Sequence, residues 1–183
     1  MKKRIIILHG WEGTPDKEWL PWVGKQLEVK GWSVELPQLP NTMNPKLEEW
    51  METLTSLSPD EDTVIIGHSL ANALILKYLE KPDAKLKGAV MVAAWNWLIE
   101  AAKDFHITFY DKDFNYDVIK QKHISLAIVN STNDPWVDFD RSKMMAEKLN
   151  AKFIGIEKAG HFMERDGYKE FSQLVQIIEE IFG

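Results

Sequence analysis

A serine, an aspartate and several histidines stand at places in this chain where they could carry out acyl transfer. Gly67-His68-Ser69-Leu70-Ala71 follows directly on an apolar run at 63–66 and opens a second apolar stretch at 70–79. A serine hydroxyl is a poor nucleophile near neutral pH. It needs a histidine to take its proton and a carboxylate to orient that histidine. Two later segments offer these partners, each just past an apolar run: Ser131-Thr132-Asn133-Asp134-Pro135-Trp136-Val137 and Ala159-Gly160-His161-Phe162. Ser69 as a plain helix cap, and Asp134 as a turn former before Pro135, are the simpler roles the same residues could fill.

The elements that must position these residues follow from hydrophobic patterning. Short apolar runs at 4–9, 32–36, 63–66, 87–93, 124–130 and 152–156 are mostly rich in Ile and Val, as in strands buried on both faces of a parallel sheet. Longer amphipathic segments separate them. Asn44-Pro45 predicts the start of a helix carrying Leu47, Trp50, Met51 and Leu54. Asp138 predicts the start of a helix reaching Leu149, and the last helix shows a stripe of Tyr168, Phe171, Leu174, Val175, Ile178, Ile181 and Phe182. Ser58-Pro59-Asp60 and Lys81-Pro82-Asp83 read as turns. Six strands alternating with helices predict an α/β fold: a doubly wound six-stranded parallel sheet with helices on both faces. In such sheets the functional residues lie beyond the carboxyl ends of strands, where Ser69, Asp134 and His161 all fall.

Placed between strand and helix, Gly67-His68-Ser69-Leu70-Ala71 resembles the nucleophile elbow of the α/β-hydrolases. Ala71 departs by one methyl from the usual second glycine. The likeness implies the chain order Ser, Asp, His, and so selects Asp134 and His161. Of the other histidines, His9 ends the first strand and shapes the adjoining loop, and the His68 ring should point away from the hydroxyl. His106 and His123 are surface or packing residues near the crossover before the fifth strand. Asp138 and Asp140 suit a helix start better than a catalytic acid. The likeness also places the oxyanion donors at the backbone N–H groups of Leu70 and of Trp11, the latter in His9-Gly10-Trp11-Glu12-Gly13-Thr14, where Gly10 and Gly13 permit the bend. Glu12 reads as a solvated loop position near the mouth of the site.

Over nearly its whole length the chain is similar to the small serine hydrolases related to retinoblastoma-binding protein 9. That similarity implies a single α/β-hydrolase domain over residues 1–183 without a cap, a triad of Ser69, Asp134 and His161, and small esters or amides as substrates. Segment 95–122 is the one long connection between strands, and it is too short to add a cap. Its Trp95 and Trp97, with Trp136, could line an apolar pocket; they serve as readily as core or rim packing.

Composition narrows the remaining choices. The chain has 183 residues, 45% apolar and 27% charged, with a net charge of −6 and no concentrated basic run, which disfavours nucleic acid as a partner. It contains no cysteine, which excludes disulfides, thiolate catalysis, zinc–cysteine sites and the Leu-x-Cys-x-Glu motif of retinoblastoma-protein binding. The loop after the first strand lacks the Lys-Ser/Thr of a phosphate-binding P-loop and the third glycine of a dinucleotide site. No apolar run is long enough for a secretory core or a membrane span. The reading is a cytoplasmic serine hydrolase of carboxylic esters, with amides and thioesters as neighbouring substrates, needing neither metal nor cofactor. An acyltransferase and a non-catalytic binding module on the same scaffold are the alternatives, and oligomeric state is left open.

Overall fold

The computed structural model describes residues 3–183, apart from the side chains of Ala101 and His106, so the expectation for His106 falls outside it. The strands are β1 (Arg4–Leu8), β2 (Ser33–Glu35), β3 (Thr63–His68), β4 (Gly88–Val92), β5 (Ser125–Ser131) and β6 (Lys152–Ile156). They form one parallel sheet in the order β2-β1-β3-β4-β5-β6. All six coincide with the predicted runs to within two residues at either end. The order reverses at β1, so the loops after β1 and β3 diverge there and leave a crevice at their carboxyl ends.

Alternate strand residues feed two cores, as the pleat requires. Ile6, Leu8, Ile65, Met91 and Ile128 face the layer of α2 (Leu47–Ser56), α3 (Ala71–Leu79), α4 (Lys103–Tyr110), α5 (Tyr116–Lys120) and α6 (Phe139–Leu149). Ile5, Ile7, Val64, Ile66, Val90 and Val129 face α1 (Leu20–Val29) and α7 (Ser172–Phe182). Burial on both faces explains why the strands read as continuous apolar runs rather than alternating ones. The connection from β4 to β5 holds a short 3₁₀ turn, α4 and α5, with no separate cap among the described residues. No described helix is long and apolar enough to cross a membrane.

Two helix starts differ from expectation. α2 begins at Leu47, with extended Lys46 at its cap position in place of Asn44, because the Leu47 N–H is already satisfied by Thr108 Oγ1 at 3.2 Å. α7 begins at Ser172, so Tyr168 lies outside it. Gly167, at φ +92°, turns the chain there, and Tyr168 packs with Phe162 and Phe171 in a three-ring cluster. Asp138 caps α6 as expected, accepting from the Arg141 N–H at 2.8 Å.

Gly88 is closely packed within the sheet. A Cβ there would stand 2.2 Å from the Ser125 carbonyl oxygen and 2.5 Å from the Phe182 ring. Gly88→Ala should therefore lower the unfolding free energy by about 1–3 kcal/mol, the usual cost of overpacking a core. Urea denaturation of the variant beside wild type measures it.

Candidate active site

Ser69 joins β3 to α3 with φ +57°, a left-handed conformation that few side-chain-bearing residues adopt. Its N–H donates to the Val92 carbonyl at 3.0 Å, which pins the turn to the end of β4. The surroundings leave no room for larger neighbours. A Cβ on Gly67 would stand 2.5 Å from Asn72 Oδ1, and one on Gly10 would stand 2.9 Å from Ser69 Cβ and 3.0 Å from the His68 carbonyl oxygen. The loop after β1 therefore lies directly on the serine turn. Ala71 is fully buried in the first turn of α3, so its extra methyl is accommodated.

Two loops bring a histidine and a carboxylate to Ser69. His161 Nε2 lies 2.9 Å from Ser69 Oγ, and His161 Nδ1 lies 2.7 Å from Asp134 Oδ2. The other carboxylate oxygen, Asp134 Oδ1, accepts the N–H groups of Trp136 at 2.9 Å and Val137 at 3.1 Å. The side chains of His161 and Asp134 are only 6% and 1% exposed. A carboxylate only accepts, so Nδ1 carries the imidazole proton and Nε2 is left to accept the serine hydroxyl.

The remaining described histidines divide by burial. His9 is buried; its Nε2 accepts the Leu39 N–H at 3.0 Å, so Nδ1 bears the proton and donates to the Gly10 carbonyl at 3.0 Å. Burial lowers its pKa, which favours this neutral form. His68 lines the same cavity as Ser69, and its Nε2 lies 2.9 Å from the His161 carbonyl oxygen, to which it must donate. Burial first, and the nearby His161 second, depress the His68 pKa to about 3. His123 is exposed. Among the described residues, no three carboxylate or imidazole groups are gathered to hold a metal ion.

Ser69 and His161 open onto a cavity of about 440 Å³. Trp11, Leu20, Trp95, Ile99 and Trp136 give it an apolar wall, while Glu12, Lys17, Glu18 and Arg165 supply charge. Trp136 stands edge-on to the His161 ring at 4.6 Å and carries the Arg165 guanidinium over its face at 5.0 Å. Trp97 is the exception among the tryptophans expected here. It is not in the cavity wall, because its ring lies under the Arg141 guanidinium at 3.9 Å, on the α6 side. Residues 163 and 165 were not singled out from sequence. Their one signal is position, immediately after a histidine that follows a strand end.

The serine hydrolase family model matches residues 5–180, almost the entire chain. The chain belongs to the serine hydrolase family. A Bacillus subtilis hydrolase, YdeN, is 26% identical over 187 aligned residues spanning all of this chain and 98% of the relative. The crystal structure of that ydeN gene product superposes with a TM-score of 0.91, covering 99% of each chain. Rat serine hydrolase RBBP9 is 24% identical over 96% of this chain and 88% of its own. Est1E from Butyrivibrio proteoclasticus, 13% identical with a TM-score of 0.78 over 98% of this chain and 86% of its own, shares the fold. The fold of this serine hydrolase is thus the α/β-hydrolase fold, in a form without a cap.

The depressed pKa of His68 makes stability depend on acid. Above its ordinary value of 6.5 the residue is neutral folded or unfolded and contributes no slope. Between 6.5 and about 3 the unfolded chain takes up a proton that the folded chain refuses, so stability falls as pH falls. His9 acts in the same direction. His68→Gln, which keeps an N–H donor and removes the titration, should flatten the fall between about pH 6 and about pH 4 by up to about 1.4 kcal/mol per pH unit. Urea melts at a series of pH values test this; equal slopes in both proteins would contradict it.

Proposed function

We propose that this serine hydrolase cleaves small carboxylic esters through an acyl-enzyme on Ser69, with residues 1–183 acting as one catalytic domain. The observation that carries the reading is the continuous chain of hydrogen bonds from Asp134 through His161 to Ser69 at 2.7 and 2.9 Å, ending at a cavity large enough for a small ester. Ser69 Oγ attacks the carbonyl carbon as its proton passes to His161 Nε2. Asp134 holds the imidazole in the tautomer that can accept, and stabilises the imidazolium that forms. The tetrahedral intermediate collapses, the C–O bond to the leaving alcohol breaks, and His161 returns the proton to that oxygen. Water then attacks the acyl carbon by the same route and restores Ser69.

Negative charge on the carbonyl oxygen is assigned to the backbone N–H groups of Leu70 and Trp11. Leu70 follows the nucleophile at the start of α3, where the helix dipole favours an anion. The orientation of Trp11 has support in the loop hydrogen bonds. The Gly10 carbonyl is held by His9 Nδ1–H and by the Gly13 N–H at 3.1 Å, and the Trp11 N–H lies on the opposite edge of that peptide. The apolar wall of Trp95, Ile99 and Trp136 suits an apolar acyl or alcohol group. A chain without cysteine also suits a reducing cytoplasm.

Labelling with a fluorophosphonate, read by intact mass, tests the nucleophile. Wild type should gain one adduct and Ser69→Ala none; an unlabelled, folded wild type would reject the reading in favour of a binding module. Asp134→Asn should lower kcat for a nitrophenyl ester by roughly 10⁴, because the imidazole is left in the wrong tautomer. Steady-state kinetics at neutral pH measure the loss, and a fall of less than about tenfold would remove Asp134 from its assigned role.

A further inference from the structure

The loop carrying His161 has little backbone pairing of its own, and its hydrogen bonds go to side chains instead. The Lys158 N–H donates to Thr132 Oγ1 at 3.1 Å, the Ala159 N–H to Ser131 Oγ at 2.9 Å, and the Gly160 N–H to Asn133 Oδ1 at 2.9 Å. With the bond from Asp134 to the imidazole, four consecutive residues starting at the end of β5, 131–134, each hold one of the four residues 158–161. The next donors turn to a different carboxylate. Asp166 Oδ2 accepts the N–H of His161 at 2.9 Å and that of Met163 at 3.1 Å. The His161 carbonyl, on the other side of the residue, accepts from His68 Nε2.

Asp166 also fills the space beside Gly160. A Cβ on Gly160 would stand 2.4 Å from the Asp166 carboxyl carbon, and Gly160 has φ +56°, so the loop is shaped around this carboxylate. An imidazole ring held only through its own side-chain bonds could swing about its Cα. Ties at both the N–H and the carbonyl fix the Cα position and the Cα–Cβ direction of His161, and so the point from which the ring reaches Ser69, while the side-chain bond to Asp134 holds the ring about that axis.

We propose that Asp166 is a positioning residue for the hydrolysis. It fixes the main chain of His161 between itself and His68, so that Nε2 stays at hydrogen-bond distance from Ser69. This inference rests on the Ser69–His161–Asp134 reading of the site. Asp166 touches neither substrate nor reacting atoms; it acts through the peptide N–H of His161. One oxygen takes both N–H groups, so a carboxamide oxygen can replace it, whereas a methyl cannot.

The test compares Asp166→Ala and Asp166→Asn with wild type, using a nitrophenyl ester, fluorophosphonate labelling rates and thermal unfolding. Asp166→Ala should lower kcat by roughly tenfold to a hundredfold, the scale of a misplaced catalytic group, with KM within about twofold. Its labelling rate should fall in parallel. Asp166→Asn should recover most of both. Full kcat per folded molecule in the alanine variant, equal losses in both variants, or a change confined to KM would each overturn the assignment. A readout independent of turnover is the downfield proton resonance of His161 Nδ1–H against Asp134. It should broaden or vanish in Asp166→Ala and persist in Asp166→Asn; an unchanged resonance in the alanine variant counts against positioning even if activity falls. Wild type that neither labels nor turns over would instead defeat the catalytic reading, leaving the resonance to decide the role of Asp166 in holding the loop.

Discussion

The left-handed backbone of Ser69 is the constraint around which this molecule is arranged. A side-chain-bearing residue in that conformation is unfavourable, and it persists only where the surroundings determine it fully. Here the determinants are close contacts: Gly67 against Asn72, Gly10 against the serine itself, and the bond from Ser69 N–H to the end of β4. Three neighbouring strands, β1, β3 and β4, therefore meet at one residue. The sheet order that places β1 and β3 side by side makes this meeting possible, and it opens the cavity at the same point.

Neutral histidines supply much of the local rigidity. Imidazole without charge offers one donor and one acceptor in a fixed plane. His9 uses both to orient the loop after β1, and His68 spends its donor on the carbonyl of His161. Burial keeps the two rings uncharged, so the same desolvation that would make them poor bases makes them dependable struts. His161 differs in what surrounds it. A buried carboxylate stands at one nitrogen and a hydroxyl at the other.

The strands could be read from sequence because parallel strands covered on both sides need uninterrupted apolar runs, a pattern no amphipathic helix imitates over so few residues. Ser69, Asp134 and His161 could be singled out because each follows such a run, and the structure places the three within hydrogen-bond distance. What sequence did not reveal depends on contacts between distant segments. The start of α2 is decided by Thr108, sixty-one residues further along the chain, and no local pattern near Asn44 anticipates it. Trp97 and Trp95 are two residues apart and chemically identical, yet one lies against Arg141 and the other in the cavity wall. Tyr168 fits the helical period of α7, but a glycine turn and two phenylalanines draw it elsewhere. The role proposed for Asp166 is equally silent, since an acidic residue in a turn usually faces water.

The order in which the site's parts occur along the chain matters for the protein's own synthesis. The serine turn and its supporting loop lie in the first seventy-two residues, while His161 arrives only after β6, the last described strand, docks on the sheet edge. Every pairing in this sheet joins parallel strands, so none can close before a whole crossover has been made. In a chain folding in sequence order, the serine turn thus forms before the proposed base is in place. The proposed triad can therefore come together only after β6 has docked, so its geometry depends on that outermost strand.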